Sequence, residues 1–487
     1  MLHRLSALFS LPSDHPQRWG VGVWAAVTVL CCWVGVAAEL WWLLGVPAAL
    51  LVGFLTAVDF RRVFFLLMAS IPLSTEVELP GGLGTDLPSE PLMWLMTLVA
   101  VLWFLRNWRL VDASLLRHPV TLALLAHLGW TAVCAVTSSD FLVSFKFLLA
   151  KGWYVIVFYF LALHFLRDER DFKTLLWWFF IPLLVAVSTV LVRHAPHGFS
   201  FKEVNFVMAP FFRNHVMYAC SLAIFLPFIW YGTYWYRKYS WAWWLLVAGI
   251  VIFIGAINFA YTRAAYIALI AAVGIYWAIR RHLIKVAILV FSIGFAGLLM
   301  GITKGDNWLE FAPNYERAVT HTRFDNLLEA TTKLEDISTM ERVYRWVAAS
   351  YMIRDRPLTG FGPGTFYFNY KNYTVSSFKT YVSDNPEHSG IHNYYLMVTV
   401  EQGIPGLIFF LVFCLLVIFT GQHTYHRTAA PGRRRMLVAA LLSFMLIAIL
   451  MLMNDFVETD KIGSLFFLCA ALVVNANKKM EDNVVNH

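Results

Sequence analysis

The chain has 487 residues, 59% of them hydrophobic and 14% charged, with a net charge of +8 and a mean hydropathy of +0.63. A soluble globular domain would carry about a quarter of its residues as charges, so that class is excluded. The positive balance does not mark a nucleic-acid binder either, because Lys and Arg cluster in short connections between apolar runs.

Met1 to Arg18 is polar and leads into a first apolar run without a small-residue cleavage site, so no removable signal peptide is expected. Apolar segments lie near 20–38, 41–58, 62–74, 89–105, 119–136, 142–165, 173–192, 215–232, 242–260, 264–279, 283–300, 396–421, 435–453 and 462–476. Most approach the roughly 17–25 residues that a helix needs to cross a bilayer. Since 62–74 is short and can pair with 41–58 as one unit, the expectation is an all-α polytopic integral membrane protein with 12–14 transmembrane helices. All six cysteines fall inside these runs, which argues against a disulfide framework and for small packing residues.

Basic connections fall at Arg61–Arg62, Arg106 to Arg117, Arg167 to Lys173, Arg237–Lys238, Arg280 to Lys285, Arg427 to Arg435, and after Lys478–Lys479. They recur at every second loop, which by the positive-inside rule puts both termini in the cytoplasm. The loops 75–88, 137–141, 193–214, 261–263, 301–395 and 454–461 then face outward. Three stretches follow: an N-terminal transmembrane bundle, 1–300; a large outward loop, 301–395; and C-terminal helices with a cytoplasmic tail, 396–487.

The long loop exceeds ordinary connections, and loops of that length are usually functional. Ser338 with Glu341 has the form of a capping box opening a helix to about Arg354, with Val343, Val347 and Tyr351 beside Trp346 and Ser350 as its apolar face. Pro357 ends it, a Gly/Pro turn region runs to Gly364, and the aromatics Phe366, Tyr367, Phe368, Tyr370 and Tyr373 follow. The loop closes on His388 and His392, four residues apart, with Asn393 next to the second.

Arginines stand out on the outward side. Arg263 sits in a three-residue turn and cannot rise far above the bilayer, while Arg193 and Arg213 flank neighbouring segments. Arg at membrane depth costs about 2.5–3.5 kcal/mol on insertion scales. Phosphate is one group that would offset this, because a guanidinium offers paired donors; snorkelling to lipid headgroups is the alternative. Lys146 and Lys151 lie within the segment 142–165 and can line the same cavity. The histidines make a poor zinc site without a third ligand at a fitting spacing. Neutral imidazole suits deprotonation of a hydroxyl, and a loop histidine that merely bonds backbone is the plain alternative. No phosphate-cradling loop is visible, and Glu458 and Asp460 form only an isolated acidic pair, so neither nucleotide, metal nor other cofactor is expected.

At these residues the chain resembles the O-antigen ligase and polymerase superfamily of bacterial envelopes. His392–Asn393, nine residues, Gly403, two residues and Gly406 are similar to the ligase pattern. Arg342, Trp346, Pro357, Gly360, Gly362, Gly364 and Phe366 resemble the superfamily's upstream block, as do Phe212–Arg213–Asn214–His215 and Thr262–Arg263 further back. The resemblance implies a glycosyltransferase type C-like, metal-independent, inverting enzyme on the periplasmic side of the bacterial inner membrane. Its donor would be a glycan on undecaprenyl diphosphate and its acceptor a hydroxyl of lipid A–core, both presented among membrane lipids. His392 would take the hydroxyl proton, preferred over His388 because Asn393 can anchor it. Arg213 and Arg263, with Arg193, would hold the diphosphate. Arg342 would order the loop or touch glycan, and Tyr367, Tyr370 and Tyr394 would stack on sugars or pack in a core. The same donor serves O-antigen polymerases and pilin glycosylation enzymes, and a secondary transporter is the non-enzyme rival.

Overall fold

The computed structural model describes residues 16–40, 43, 45–79, 83–110, 112–303, 337–374 and 390–485. Two compact units are present, Met1–Leu67 and Met68–His487. In the first, helix α1 (Pro16–Ala37) lies against α2 (Gly45–Val58), and Trp24 Nε1 donates to Pro47 O at 3.0 Å. Asp59 then accepts the Arg62 backbone N–H at 3.3 Å and pairs with its guanidinium at 2.6 Å, opening α3 (Phe60–Ser70).

The second unit contains α4 (Ser89–Asn107), α5 (Pro119–Val136), α6 (Phe141–Phe165), α7 (Glu169–His194), α8 (His215–Gly232), α9 (Trp241–Phe259), α10 (Arg263–Arg280) and α11 (Ile284–Thr303). After these come α12 (Ile337–Asp355), α13 (Tyr394–Arg427), α14 (Pro431–Leu450) and α15 (Asp460–Val485). Starts are set by local chemistry: the side chains of Asp140, Asn214, Ser240 and Asn393 each accept a backbone N–H in the first turn, and Pro119 and Pro431 occupy first positions that need no donor. The described residues of all fourteen apolar segments are mainly helical, and nine helices among the described residues are long and apolar enough to cross a membrane. The helix Pro431–Leu450 is as long but opens on Arg433, Arg434 and Arg435. A π-helical stretch, Val155–Leu161, interrupts α6.

The loop expected at 75–88 is instead an antiparallel hairpin of β1 (Thr75–Leu79) and β2 (Leu83–Leu87), with Thr75 opposite Leu87. The alternation Glu76, Val77, Glu78, Leu79 is the two-residue period of a strand. Its shortness beside so many apolar runs hid it.

Within the second unit α13 packs on α5, and α14 packs between α8, α10 and α15. Polar contacts fix which helix ends share a side. Arg435 at the start of α14 donates to Tyr234 O, just past α8, at 2.8 Å. His426 near the end of α13 donates to Ile279 O near the end of α10, also at 2.8 Å. Lys479 pairs with Asp168 before α7, and Lys478 with Asp112 before α5. These contacts gather one end, rich in Arg and Lys. The starts of α8, α10, α13 and α15, the end of α14 and the α5–α6 turn must therefore lie at the opposite end.

Candidate active site

Inside α13, Gly403 has φ 70° and ψ −179°. In an unbroken helix Tyr394 and Phe410 would stand about 24 Å apart at 1.5 Å per residue. Their ring centroids are 5.2 Å apart. The chain therefore doubles back at Gly403, and the first two turns of α13 form a short helix folded against the rest, where sequence suggests one continuous span. The reversal strips backbone groups of helical partners, and others replace them. Phe361 N–H donates to Val400 O at 3.0 Å, Gly362 N–H to Glu401 O at 2.9 Å, and Ile404 N–H to Pro357 O at 2.8 Å. Trp130 Nε1 donates to Gln402 O at 2.9 Å. A Cβ at Gly403 would fall 2.0 Å from Leu358 O, and one at Gly360 would fall 2.4 Å from the Glu401 carbonyl carbon. The two glycine patterns seen in sequence are thus the two sides of one backbone-on-backbone contact.

This contact holds the segment that carries His392. Its floor is a core of Tyr344, Met352, Phe361, Phe366, Tyr370 and Ile391. Tyr370 and Tyr394 are fully buried, so their rings pack in the interior and offer no platform to a sugar. The buried face of α12 carries Glu341, Tyr344, Arg345, Ala348 and Met352, whereas Trp346 and Tyr351 are exposed. That corrects the apolar face expected at Val343, Val347 and Tyr351 in part: Val343 does pack on this core, but Tyr351 and Trp346 do not, because the face that packs includes an ion pair, Glu341 with Arg345 at 3.7 Å. Ser338 lies in the first turn of α12, and its side chain is outside the described residues.

Arg345 Nη1 donates to Gly390 O at 2.6 Å, and Trp346 Nε1 to Ile391 O at 3.1 Å. His392 itself has φ 57°, a left-handed conformation that costs about 1–2 kcal/mol for a side-chain-bearing residue. Asp455, between α14 and α15, secures it by accepting the His392 backbone N–H at 3.1 Å. Asn454 Oδ1 faces His392 Nδ1 at 3.2 Å and can accept a proton held on Nδ1, the tautomer that carries its lone pair on Nε2. A Cβ at Gly390 would fall 2.2 Å from Asp455 Oδ2, so this approach needs glycine. Burial, then the nearby Arg345 and Arg342 guanidinium groups, push the His392 imidazole down to about 4, and it is neutral at neutral pH. Burial pushes Asp455 up to about 7, opposed by the His392 N–H and Arg345. Asn393 caps α13 by accepting Leu396 N–H at 3.1 Å.

Other predicted residues are distributed unevenly. Arg213 and Arg263, at the starts of α8 and α10, share the end of the unit that carries His392. Arg213 is exposed and makes a loose pair with Glu76 of β1 at 3.7 Å. Arg193 donates to Ala209 O and sits over Phe206. Arg342 lies near His392 through its charge. Lys146 is exposed, whereas Lys151 is buried and pairs with Glu458 at 2.7 Å. Nor are Glu458 and Asp460 an isolated acidic pair: Asp460 accepts from Ser74 and pairs with Lys461. His388 falls outside the described residues. Among the described residues no three His, Cys, Asp or Glu side chains gather as a metal-ligand set.

Residues 248–411 match the family profile described as O-antigen ligase. This stretch is similar to the O-antigen ligase family. No curated protein matches the chain. The matched stretch runs from within α9 past the folded-back tip of α13, and so contains Arg263, Arg342, Arg345, His392, Gly403 and Gly406. Arg213, Asn454 and Asp455 come from outside it and are added by the fold. Sequence reasoning missed Asn454, Asp455 and Arg345. A carboxylate at a membrane boundary was the available signal for Asp455, and the four-residue spacing from Glu341 was the signal for Arg345.

Proposed function

We propose that the chain transfers O-antigen polysaccharide from undecaprenyl diphosphate to a sugar hydroxyl of lipid A–core, with inversion and without a metal, at the periplasmic face of the inner membrane. The observation that carries this reading is His392: a neutral imidazole, strained and anchored by Asp455 and Asn454 inside the stretch that matches the O-antigen ligase family, with arginines beside it. His392 Nε2 takes the proton of the acceptor hydroxyl as its oxygen bonds to the anomeric carbon. The bond from that carbon to the diphosphate breaks, and its electron pair leaves on the diphosphate, where Arg213 and Arg263, with Arg193, meet the growing charge. Arg342 and Asn393 position the loop and helix that present the imidazole, and His388 is assigned to acceptor contact. An arriving diphosphate offsets the field of Arg342 and Arg345, which otherwise opposes protonation of His392. The basic end of the helices is taken as cytoplasmic by the positive-inside rule, which puts the site outside.

Purified protein given an undecaprenyl diphosphate-linked glycan together with lipid A–core, a second donor molecule, or pilin tests the proposal. Product on lipid A–core alone is expected. Product only on a second donor would make the chain a polymerase, product only on pilin a protein glycosylation enzyme, and product in no arm would favour transport.

A further inference from the structure

Beneath the His392 segment, Lys151 Nζ donates to Glu458 Oε1 at 2.7 Å and to Tyr394 OH at 3.0 Å, and Tyr394 OH donates to the same Glu458 oxygen at 2.7 Å. The Lys151 side chain is only 5% exposed and lies over the rings of Phe147 and Tyr394. The three groups come from α6, the first turn of α13 and the turn before α15. Tyr394 is two residues from His392, and Glu458 is three from Asp455. Around Asp455 stand His392 and Asn393 just before α13, Glu401 of α13, Arg345 of α12 and Glu458 of its own loop, with Arg342 of α12 near His392 and Lys151 of α6 facing Glu458.

We infer that Lys151 does not meet substrate but forms, with buried Tyr394 and the solvent-facing Glu458, a clamp that positions the 390–394 and 454–458 segments and neutralises the carboxylate beside Asp455. A buried ammonium left without its partners would be costly, so substrate would have to displace two hydrogen bonds to recruit it. Glu458 without Lys151 would oppose ionisation of Asp455, because like charges in a partly buried site interact strongly. The clamp thus supports the anchor of His392 both in place and in charge. This rests on the proposed function only for the activity arm of its test.

Full-length protein is compared as wild type, Lys151→Met, Lys151→Arg, Glu458→Gln and the double variant Lys151→Met/Glu458→Gln. In the transfer arm, the acid limb of kcat/KM set by Asp455 should move up about one to two pH units in Lys151→Met. It should stay in Lys151→Arg, move down in Glu458→Gln and return to its wild-type position in the double variant, with KM for the donor unchanged. If Lys151 instead grips diphosphate, donor KM rises about tenfold or more in Lys151→Met, stays high in the double variant, and the limb does not move. That result overturns the inference. In the substrate-free arm, thermal unfolding of each protein and its Asp455→Asn counterpart is followed against pH. The midpoint of their difference should move with the same signs, and an unmoved midpoint overturns the inference even where no transfer occurs. Should Lys151→Met fail to fold, Glu458→Gln still decides by its downward shift. Wild type that transfers to no acceptor while this second arm behaves as expected defeats the functional reading and leaves the clamp standing.

Discussion

His392 is the residue on which most of the chemistry turns, and its anchoring is what distinguishes it from an ordinary loop histidine. Two groups from the 454–455 turn fix its backbone and its Nδ1, so removing the imidazole should leave the surrounding contacts largely in place. His392→Ala is expected to lower the transfer rate about 10²–10⁴-fold, the usual loss of a general base, with donor binding kept; a rate within threefold of wild type in a reconstituted assay would remove it from the reaction. The arginines are judged differently. An exposed ion pair contributes little, so Arg213 can exchange Glu76 for phosphate at small cost. Arg213→Ala and Arg263→Ala should abolish transfer at normal expression, and Lys should rescue poorly because a point charge lacks the paired donors of guanidinium. Full activity in the Lys variants would reduce their role to general attraction.

At the scale of elements, the fold-back of α13 decides the site. Gly403 adopts a left-handed φ with Leu358 O where a Cβ would go, and neither strain can relax without moving two backbones. Gly403→Ala should destabilise by about 2–5 kcal/mol through strain and overpacking together, seen as a lowered melting temperature in detergent and lost transfer. An unchanged melting temperature would mean the tip is looser than these contacts imply. The motif containing Gly403 and Gly406 was legible from the sequence, but its meaning was not. A continuous apolar run hides a reversal, because the partners that satisfy the freed carbonyls lie some forty residues upstream and on α5. The hairpin β1–β2 was missed because its two strands are only five residues each and stand beside so many long apolar runs.

For the whole molecule, two carboxyl groups outside the spanning helices carry a pH signature. Asp455 and Asp86 are both raised to about 7, each chiefly by burial, and Asp86 also by Asp460. A carboxyl raised in the folded state binds its proton more tightly there than when unfolded, so its contribution is full below about pH 4 and is lost as pH rises to about 7. Their share of the stability, read as wild type minus the Asp455→Asn/Asp86→Asn variant, should therefore decline over that window, whereas His392, held neutral by burial, contributes with the opposite sign to the total; a difference that rises through the window would refute both assignments. Transfer should also proceed in EDTA without added nucleotide, and activity lost to chelator and restored by a divalent ion would bring Glu458, Asp460 or the histidines into a metal site.

Composition and the spacing of apolar runs by themselves determined the class, the helices and most of their ends, because a bilayer-sized apolar helix and its capping residue are local facts. The Gly and His motifs also marked where chemistry gathers and which superfamily the segment resembles. Only the tertiary structure decided which side chains share that place. Asp455 and Asn454 reach His392 across some sixty residues, Arg345 rather than an exposed aromatic faces inward, and Lys151 is held by Glu458 and Tyr394. Contacts between distant segments depend on how helices pack and where a chain doubles back, and no local pattern of residues encodes that by itself.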